Sequence, residues 1–231
     1  MIGGMANERA KVGLGDMKRA SELMTDRDLQ RESKAELGCR IRRGGWVQTF
    51  TGRRAWPREP DAGVVCLEDV VHSLSLRCRF GGHCRLFYSV AEHCVRGMAL
   101  VSEGARLEFL LHDAAEAYLA DVPRPLKRAP EMRWYRVLER GWEEAIASAL
   151  GVRREHAGEV RLADMVMLAT ERRDLMGPVL DGEDWGPLPE PSPQVIIERT
   201  WRPEEAEERF LARFELETSR VERARHHRWH G

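Results

Sequence analysis

Neither sign of charge is in excess: 37 Lys and Arg stand against 38 Asp and Glu, a formal net of −1. That balance gives no bulk pull toward a nucleic-acid backbone or an acidic membrane, so neither stable nucleic-acid binding nor membrane association is expected. A small anionic substrate would need only a local cluster of Arg and Lys. Long apolar runs are missing as well. No stretch approaches the roughly 20 apolar residues of a membrane span, and the opening MIGGMANERAKVGLGDMKRA holds no apolar core of signal-peptide length. Cysteine is scarce and odd in number (Cys39, Cys66, Cys78, Cys84, Cys94) in a chain large enough to build a core without staples. Reduced thiols in a cytoplasm are the expectation. No internal repeat is present.

What is present is helical patterning, and it predicts an all-α bundle. Residues 1–40 are polar and lack a core stripe, which suits an N-terminal arm. Residues 41–181 read as the main domain. It opens on WVQTFTGRRAWP, whose aromatic and β-branched residues around a Thr-Gly turn signal suit a short hairpin or strap. CLEDVVHSLSLRCRF places Leu67, Val70, Val71, Leu74 and Cys78 at helical spacing. SVAEHCVRGMALV is a second helix, with Ser89 as N-cap and Glu92 three residues on, a capping-box arrangement. ARLEFLLHDAAEAYLA reads as a third, ended by the two prolines of DVPRPLK. MRWYRVLERGWEEAIASAL and EVRLADMVMLATERRDLM are two more amphipathic stretches. Residues 182–231 hold a Pro/Gly-rich loop and a last helix, PEEAEERFLARFELETSRVERA, packing on the domain or extending from it.

The densest polar intrusion into apolar sequence is FLLHDAAEAYLADVPRPLK. His112 and Asp113 stand among Leu, Phe, Ala and Tyr, so they must be paired or bound to a metal to offset their desolvation. Glu116 follows Asp113 by about one turn, which puts both carboxylates on one face. His93 lies near the start of the preceding helix and Asp164 in the middle of a later one. Converging in a bundle interior, the four form a mixed N/O set suited to Zn, Mn, Fe or Co, with positions open for water and a phosphate oxygen. Singly, each also reads as a packed or salt-bridged side chain.

YSVAEH followed by LLHDAAEAYLADVPRPLK resembles the HD superfamily of metal-dependent phosphohydrolases. Within it, the chain is most similar to the branch of bacterial 5′-deoxynucleotidases and small phage-encoded dATP triphosphohydrolases. The resemblance spans about residues 46 to 176. It implies an HD-domain helical bundle, metal ligands at His93, His112, Asp113 and Asp164, and acid/base or water-orienting roles for Glu116 and Asp121. It implies phosphate contacts from Arg79 (with Arg77 as rival) and Lys127. Phe80, where relatives often carry Trp, would stack on a base and Pro125 would wall the sugar or base, with ordinary packing at a helix end and a turn as the equal alternative for the two. A homo-oligomer, dimer or larger, and a cytoplasmic site of action (the host's, if phage-encoded) also follow from the resemblance. Further Mg or Mn would accompany the substrate phosphates.

Phosphate esters repel nucleophiles, so hydrolysis needs neutralised oxygens and an activated water, both of which such a metal supplies. Arg79 would grip phosphate as a planar fork and Lys127 as a point charge. The short link from His93 to His112 departs from the monophosphatase pattern, the fifty-one residues from Asp113 to Asp164 look like the phage dATP enzymes, and Arg79, Lys127 and Arg124 offer more positive charge than one phosphate requires. The expected reaction is therefore dATP, or a related purine deoxynucleotide, to deoxynucleoside and triphosphate. The alternative within the class is a 5′-nucleotidase acting on deoxynucleoside monophosphates. From another class, Cys78, His83, Cys84, His93 and Cys94 offer a zinc-stabilised binding module, though without a C-x₂₋₄-C pair; an inactive nucleotide-binding HD scaffold is a further one. His72 is expected against a neighbouring helix and His156 exposed, with His226, His227 and His230 in a solvated tail.

Overall fold

The bundle is assembled around two short helices that are nearly all core. A computed structural model describes residues 44–180 and 185–229, the last six by their backbone alone. The arm expected over residues 1–40, Cys39 and His230 lie outside the described residues, as do the side chains of His226 and His227. The described elements are a two-stranded hairpin, β1 (Val47–Gln48) and β2 (Arg54–Ala55), and seven α-helices. These are α1 (Leu67–Leu76), α2 (Val90–Gly97), α3 (Arg106–Leu110), α4 (Arg124–Lys127), α5 (Arg133–Ala149), α6 (Ala157–Leu175) and α7 (Pro203–Trp229). They form an all-α fold. No helix among the described residues is long and apolar enough to cross a membrane.

The hairpin is antiparallel, with Val47 opposite Ala55 and Gln48 opposite Arg54. Its tip is tied to α1, because Asp69, buried in the first turn, accepts from Thr51 N at 2.7 Å and from Thr51 Oγ1 at 2.9 Å. The strap that follows is held by Trp142 of α5, whose Nε1 donates to Pro57 O at 2.9 Å. Trp142 stacks on Tyr118 at 4.2 Å. Helix α7 packs along α1 and α2 and reaches α3, burying Ala206 and Phe210 completely. His72 does face a helix: its Nδ1 lies 3.2 Å from Glu207 Oε2.

The start of α2 follows the sequence closely. Ser89 Oγ accepts from Glu92 N at 3.0 Å, so the N-cap forms. The reciprocal half of the capping box does not, because the Glu92 carboxylate is taken by Arg96 Nε at 2.8 Å and by Trp201 N at 2.8 Å. Two helices expected from the spacing are corrected. The first ends at Leu76, and Arg77 and Cys78 are extended, since Cys78 pairs with Ser89 in an isolated antiparallel bridge. The third does not run through the His-Asp pair. It stops at Leu110, and the chain goes on in three-residue turns, with His112 N to Phe109 O, Ala114 N to Leu111 O and Glu116 N to Asp113 O at 3.0–3.3 Å. The cause is local: His112 Nδ1 donates to Phe109 O at 2.6 Å, the carbonyl an α-helix would offer to residue 113.

Gly97 ends α2 where that helix meets α3. A Cβ there would run into the Phe109 ring and Met167 Cγ, both buried. Gly97→Ala is therefore expected to lower stability by about 1–3 kcal/mol, the usual cost of overpacking, read as a lower urea midpoint with an unchanged slope.

Candidate metal centre

Three segments deliver the cluster. His93 sits in the first turns of α2 and is fully buried. His112 and Asp113 lie in the tight turns after α3, and Asp164 projects from α6. His93 Nε2 lies 3.4 Å from His112 Nε2, 3.7 Å from Asp113 Oδ2 and 3.5 Å from Asp164 Oδ1. His112 Nε2 lies 3.3 Å from Asp113 Oδ2 and 3.9 Å from Asp164 Oδ1. His93, His112 and Asp113 form a donor group with all atoms within 4.8 Å of one another, and Asp164 flanks it.

The donor set fits a divalent transition metal. Each Nδ1 has an acceptor: His93 Nδ1 donates to Glu171 Oε1 at 2.5 Å, and His112 Nδ1 to the Phe109 carbonyl. Both Nε2 atoms are thereby turned to one point, shared with Asp113 Oδ2 and flanked by Asp164 Oδ1. Bonds of about 2.1 Å to a metal place neighbouring donors roughly 3.0–3.4 Å apart, so the observed separations are a slightly opened version of that shell. Imidazoles anchored from behind by a carboxylate or carbonyl are the usual support of such ligands.

The electrostatics agree. Burial works against an ionised Asp113, but His112, His93 and Arg79 outweigh it and hold its pKa below the ordinary carboxylate value. Burial opposes Asp164 too, and the nearby His112, with His93 and Arg79, brings its pKa down further. His112 is disfavoured as a cation by burial, yet the neighbouring Asp113 and Asp164 raise its pKa well above the ordinary imidazole value. The acids keep their charge by drawing cations among them.

Glu116 behaves in the opposite way. Burial, then the Asp113 and Asp121 carboxylates, push its pKa well up, and its Oε2 is buried without a hydrogen-bond partner. The tight turn keeps Glu116 on Asp113's face, since residues three apart eclipse in a 3₁₀ turn. Asp121 is likewise raised, by burial first and by Asp113.

Of the expected substrate contacts, Arg79 reaches the cluster, with NH1 3.3 Å from Asp113 Oδ2 and NH2 3.1 Å from Glu171 Oε2. Its rival Arg77 turns away, its NH2 donating to Ser73 Oγ at 3.3 Å. The loop that aims Arg79 is left-handed at Phe80 (φ 57°), Gly81 and Gly82, and the Phe80 position is strained for a side-chain-bearing residue. Phe80 lies under the Arg79 guanidinium and 5.9 Å from the Trp185 ring. Lys127 Nζ is engaged by Glu139 Oε1 at 2.6 Å, and Arg124 NH2 by Asp164 Oδ2 at 2.6 Å. Pro125 is exposed in α4.

The zinc-module arrangement is not assembled. Cys78 Sγ and Cys84 Sγ approach to 3.7 Å, but His93 is committed to the other cluster, and no His, Asp or Glu joins the thiols in a ligating group among the described residues. Sequence reasoning missed Glu171. The signal was available: it follows Asp164 by two helical turns on a face that also buries Met167 and Thr170.

The chain aligns over 144 residues with Uncharacterized protein YfdR of Escherichia coli (strain K12), at 39% identity, covering 59% of this chain and 79% of YfdR. The chain belongs to the YfdR family. Uncharacterized protein RCAP_rcc00048 of Rhodobacter capsulatus is similar over a shorter stretch, 34% identical over 93 residues, 36% of this chain and 47% of that protein. No family model matches the chain. Neither relative's name states an activity, so the chemistry of this YfdR-family chain is argued from its own residues.

Two outcomes are expected. Protein loaded with Mn or Co should retain about one ion per chain through desalting, and Asp113→Ala should retain none by elemental analysis. In metal-free protein, Glu116 binds its proton more tightly folded than unfolded, so its ionisation destabilises the fold. The stability of wild type relative to Glu116→Gln should therefore fall as pH rises from about 4.5, where the unfolded carboxyl ionises. Paired urea titrations across pH 4–8 would show it.

Proposed function

We propose that the chain is a metal-dependent phosphohydrolase of the HD type acting on a deoxynucleotide, with dATP or a related purine deoxynucleoside triphosphate as substrate. The observation that carries this reading is the gathering of His93, His112 and Asp113 into one donor group flanked by Asp164, with the unspent Oε2 of Glu116 on the face of Asp113. When bound there, a Zn, Mn, Co or Fe ion supplies a Lewis acid toward a phosphoryl oxygen and acidifies water. Binding structural zinc alone would not require a buried, unpaired acid beside it.

The protein's part is proton handling and positioning. Water adds to the α-phosphorus, the bond to O5′ breaks, and triphosphate and deoxynucleoside leave. Glu116, kept basic by its burial and its acidic neighbours, takes the proton of that water, and Asp121 is the second group able to return one to O5′. Arg79 offers its fork to a phosphate oxygen, and Phe80 a ring for the base.

One observation favours the alternative, a 5′-nucleotidase on deoxynucleoside monophosphates. Lys127 and Arg124, counted toward a phosphate chain, are each held by an acid, Glu139 and Asp164. Arg79 is held too, by Asp113 and Glu171, so a monophosphate must draw one cation from its acids and a triphosphate more than one.

Product chromatography from dATP and dAMP with Mn, Co, Zn and Mg decides between them. The proposal expects deoxyadenosine from dATP without accumulation of dAMP, and Glu116→Ala should lower turnover by roughly 10²-fold or more while the metal stays bound. Consumption of monophosphates alone, pyrimidine as readily as purine, would establish the nucleotidase and withdraw Lys127 from phosphate binding. No turnover of either class would remove the enzymatic reading.

A further inference from the structure

We propose that Glu171 is a positioning residue whose two carboxylate oxygens serve two different functions of the site, one setting metal affinity through His93 and the other phosphate affinity through Arg79. The inference rests on the reading of the cluster as a metal-dependent phosphate site and adds a residue and a role to it.

Glu171 is fully buried near the C-terminal end of α6, where a carboxylate needs strong partners on both oxygens. Its oxygens do not share a partner. Oε1 lies 2.5 Å from His93 Nδ1, and Oε2 lies 3.1 Å from Arg79 NH2. The first contact fixes the imidazole so that Nε2 faces His112, Asp113 and Asp164. The second fixes the guanidinium, whose NH1 lies 3.3 Å from Asp113 Oδ2, and that oxygen is 3.7 Å from His93 Nε2. The four residues close a ring: His93, Glu171, Arg79, Asp113. Within it Arg79 has both terminal nitrogens engaged, and its Nε is buried with no hydrogen-bond partner.

A carboxylate placed only to hold α6 against its neighbours would have no reason to touch both a metal-facing imidazole and the arginine that also contacts Asp113. The loop carrying Arg79 is built to bring it there. Its base is pinched by Arg79 N to Tyr88 O at 2.9 Å and Val90 N to Arg77 O at 3.0 Å, and Arg85 N donates to Leu175 O of α6 at 2.9 Å. Glu171 and the arginine loop are therefore held to the same helix. A glutamine at 171 keeps the volume but not the function. It has one accepting oxygen, so a donor must face either His93 Nδ1–H or Arg79.

The test measures binding, not turnover. Mn(II) affinity is read by competition with a chromophoric chelator, and inorganic phosphate affinity by calorimetry on protein saturated with Mn(II). Glu171→Gln should weaken Mn(II) about 10- to 100-fold, the usual effect of losing a partner behind a ligating histidine, and weaken phosphate roughly fivefold or more, as for loss of a charge-assisted contact. In an Arg79→Gln background the metal effect of Glu171→Gln should persist and the phosphate effect should vanish. A purely structural Glu171 predicts a lower unfolding temperature with both affinities unchanged, and that result overturns the proposal. Should Glu171→Gln not fold, Glu171→Asp keeps the charge but is one methylene too short to span both partners. At least one affinity must then fall about tenfold, and two unchanged constants again overturn it. Wild type that binds Mn(II) and phosphate beside an indifferent Glu171→Gln defeats this inference alone; wild type that binds no metal defeats the reading beneath it as well.

Discussion

The contact between His93 and Glu171 is the constraint around which the rest of this molecule is arranged. Both side chains are fully withdrawn from water, on different helices, and they meet at 2.5 Å. Removing one partner from such a pair typically costs about 3–5 kcal/mol, because the survivor is left charged or polar in a dry interior. The surroundings supply what the pair needs. Arg79 neutralises Glu171 from the other side, and the Ser89 cap starts α2 where His93 falls on its inner face. The bridge between Cys78 and Ser89 brings the arginine loop and the histidine helix to the same place. Each of these is a local device, and each is incomplete without the others.

The same economy explains why the chain abandons the α-helix at its most important residues. In a continuous helix, Phe109 O would accept from the backbone of residue 113, and His112 would be left to find an acceptor of its own. The observed turns let Phe109 O receive His112 Nδ1 instead, which fixes which nitrogen of that ring faces the cluster. Three-residue turns also bring residues three apart into register, so Asp113 and Glu116 stay together. Some helical hydrogen bonding is given up, and two side chains gain a defined direction.

Much of this was legible in sequence, and what was not has a physical cause. The existence and order of α1, α2, α5, α6 and α7 follow from their periodicity, and the hairpin from its turn signal. Ser89 announces its cap. The ends of α1 and α3 were not legible, because they are set by long-range partners, the Cys78–Ser89 bridge and the His112 ring, which propensity does not register. Within the site, His93, His112, Asp113 and Asp164 could be nominated because polar residues in apolar helices must be accounted for. Glu171 was hidden by its setting, since ATERRDL reads as an ordinary charged helix end until burial shows that Glu171 points inward while Arg173 points out. The pairing of Lys127 with Glu139 was invisible for a related reason, as charge on a helix says nothing of which partner it will choose.

Those pairings bear on how such a site can be selective. The acids at the centre, Asp113, Asp164 and Glu171, are matched by cations set one layer out: Arg79 touches two of them, and Arg124 holds the outer oxygen of Asp164. A divalent ion entering between the histidines would compete with the proton that His112 otherwise keeps, and would relieve the need for the arginines to neutralise the same acids. Arg79 and Arg124 would then be released, in charge if not in position, to face an incoming phosphate. On the proposed function, the cation that completes the cluster would also free the groups that read the substrate. Metal and anion would then be recruited by one part of the fold, because one set of carboxylates would govern both.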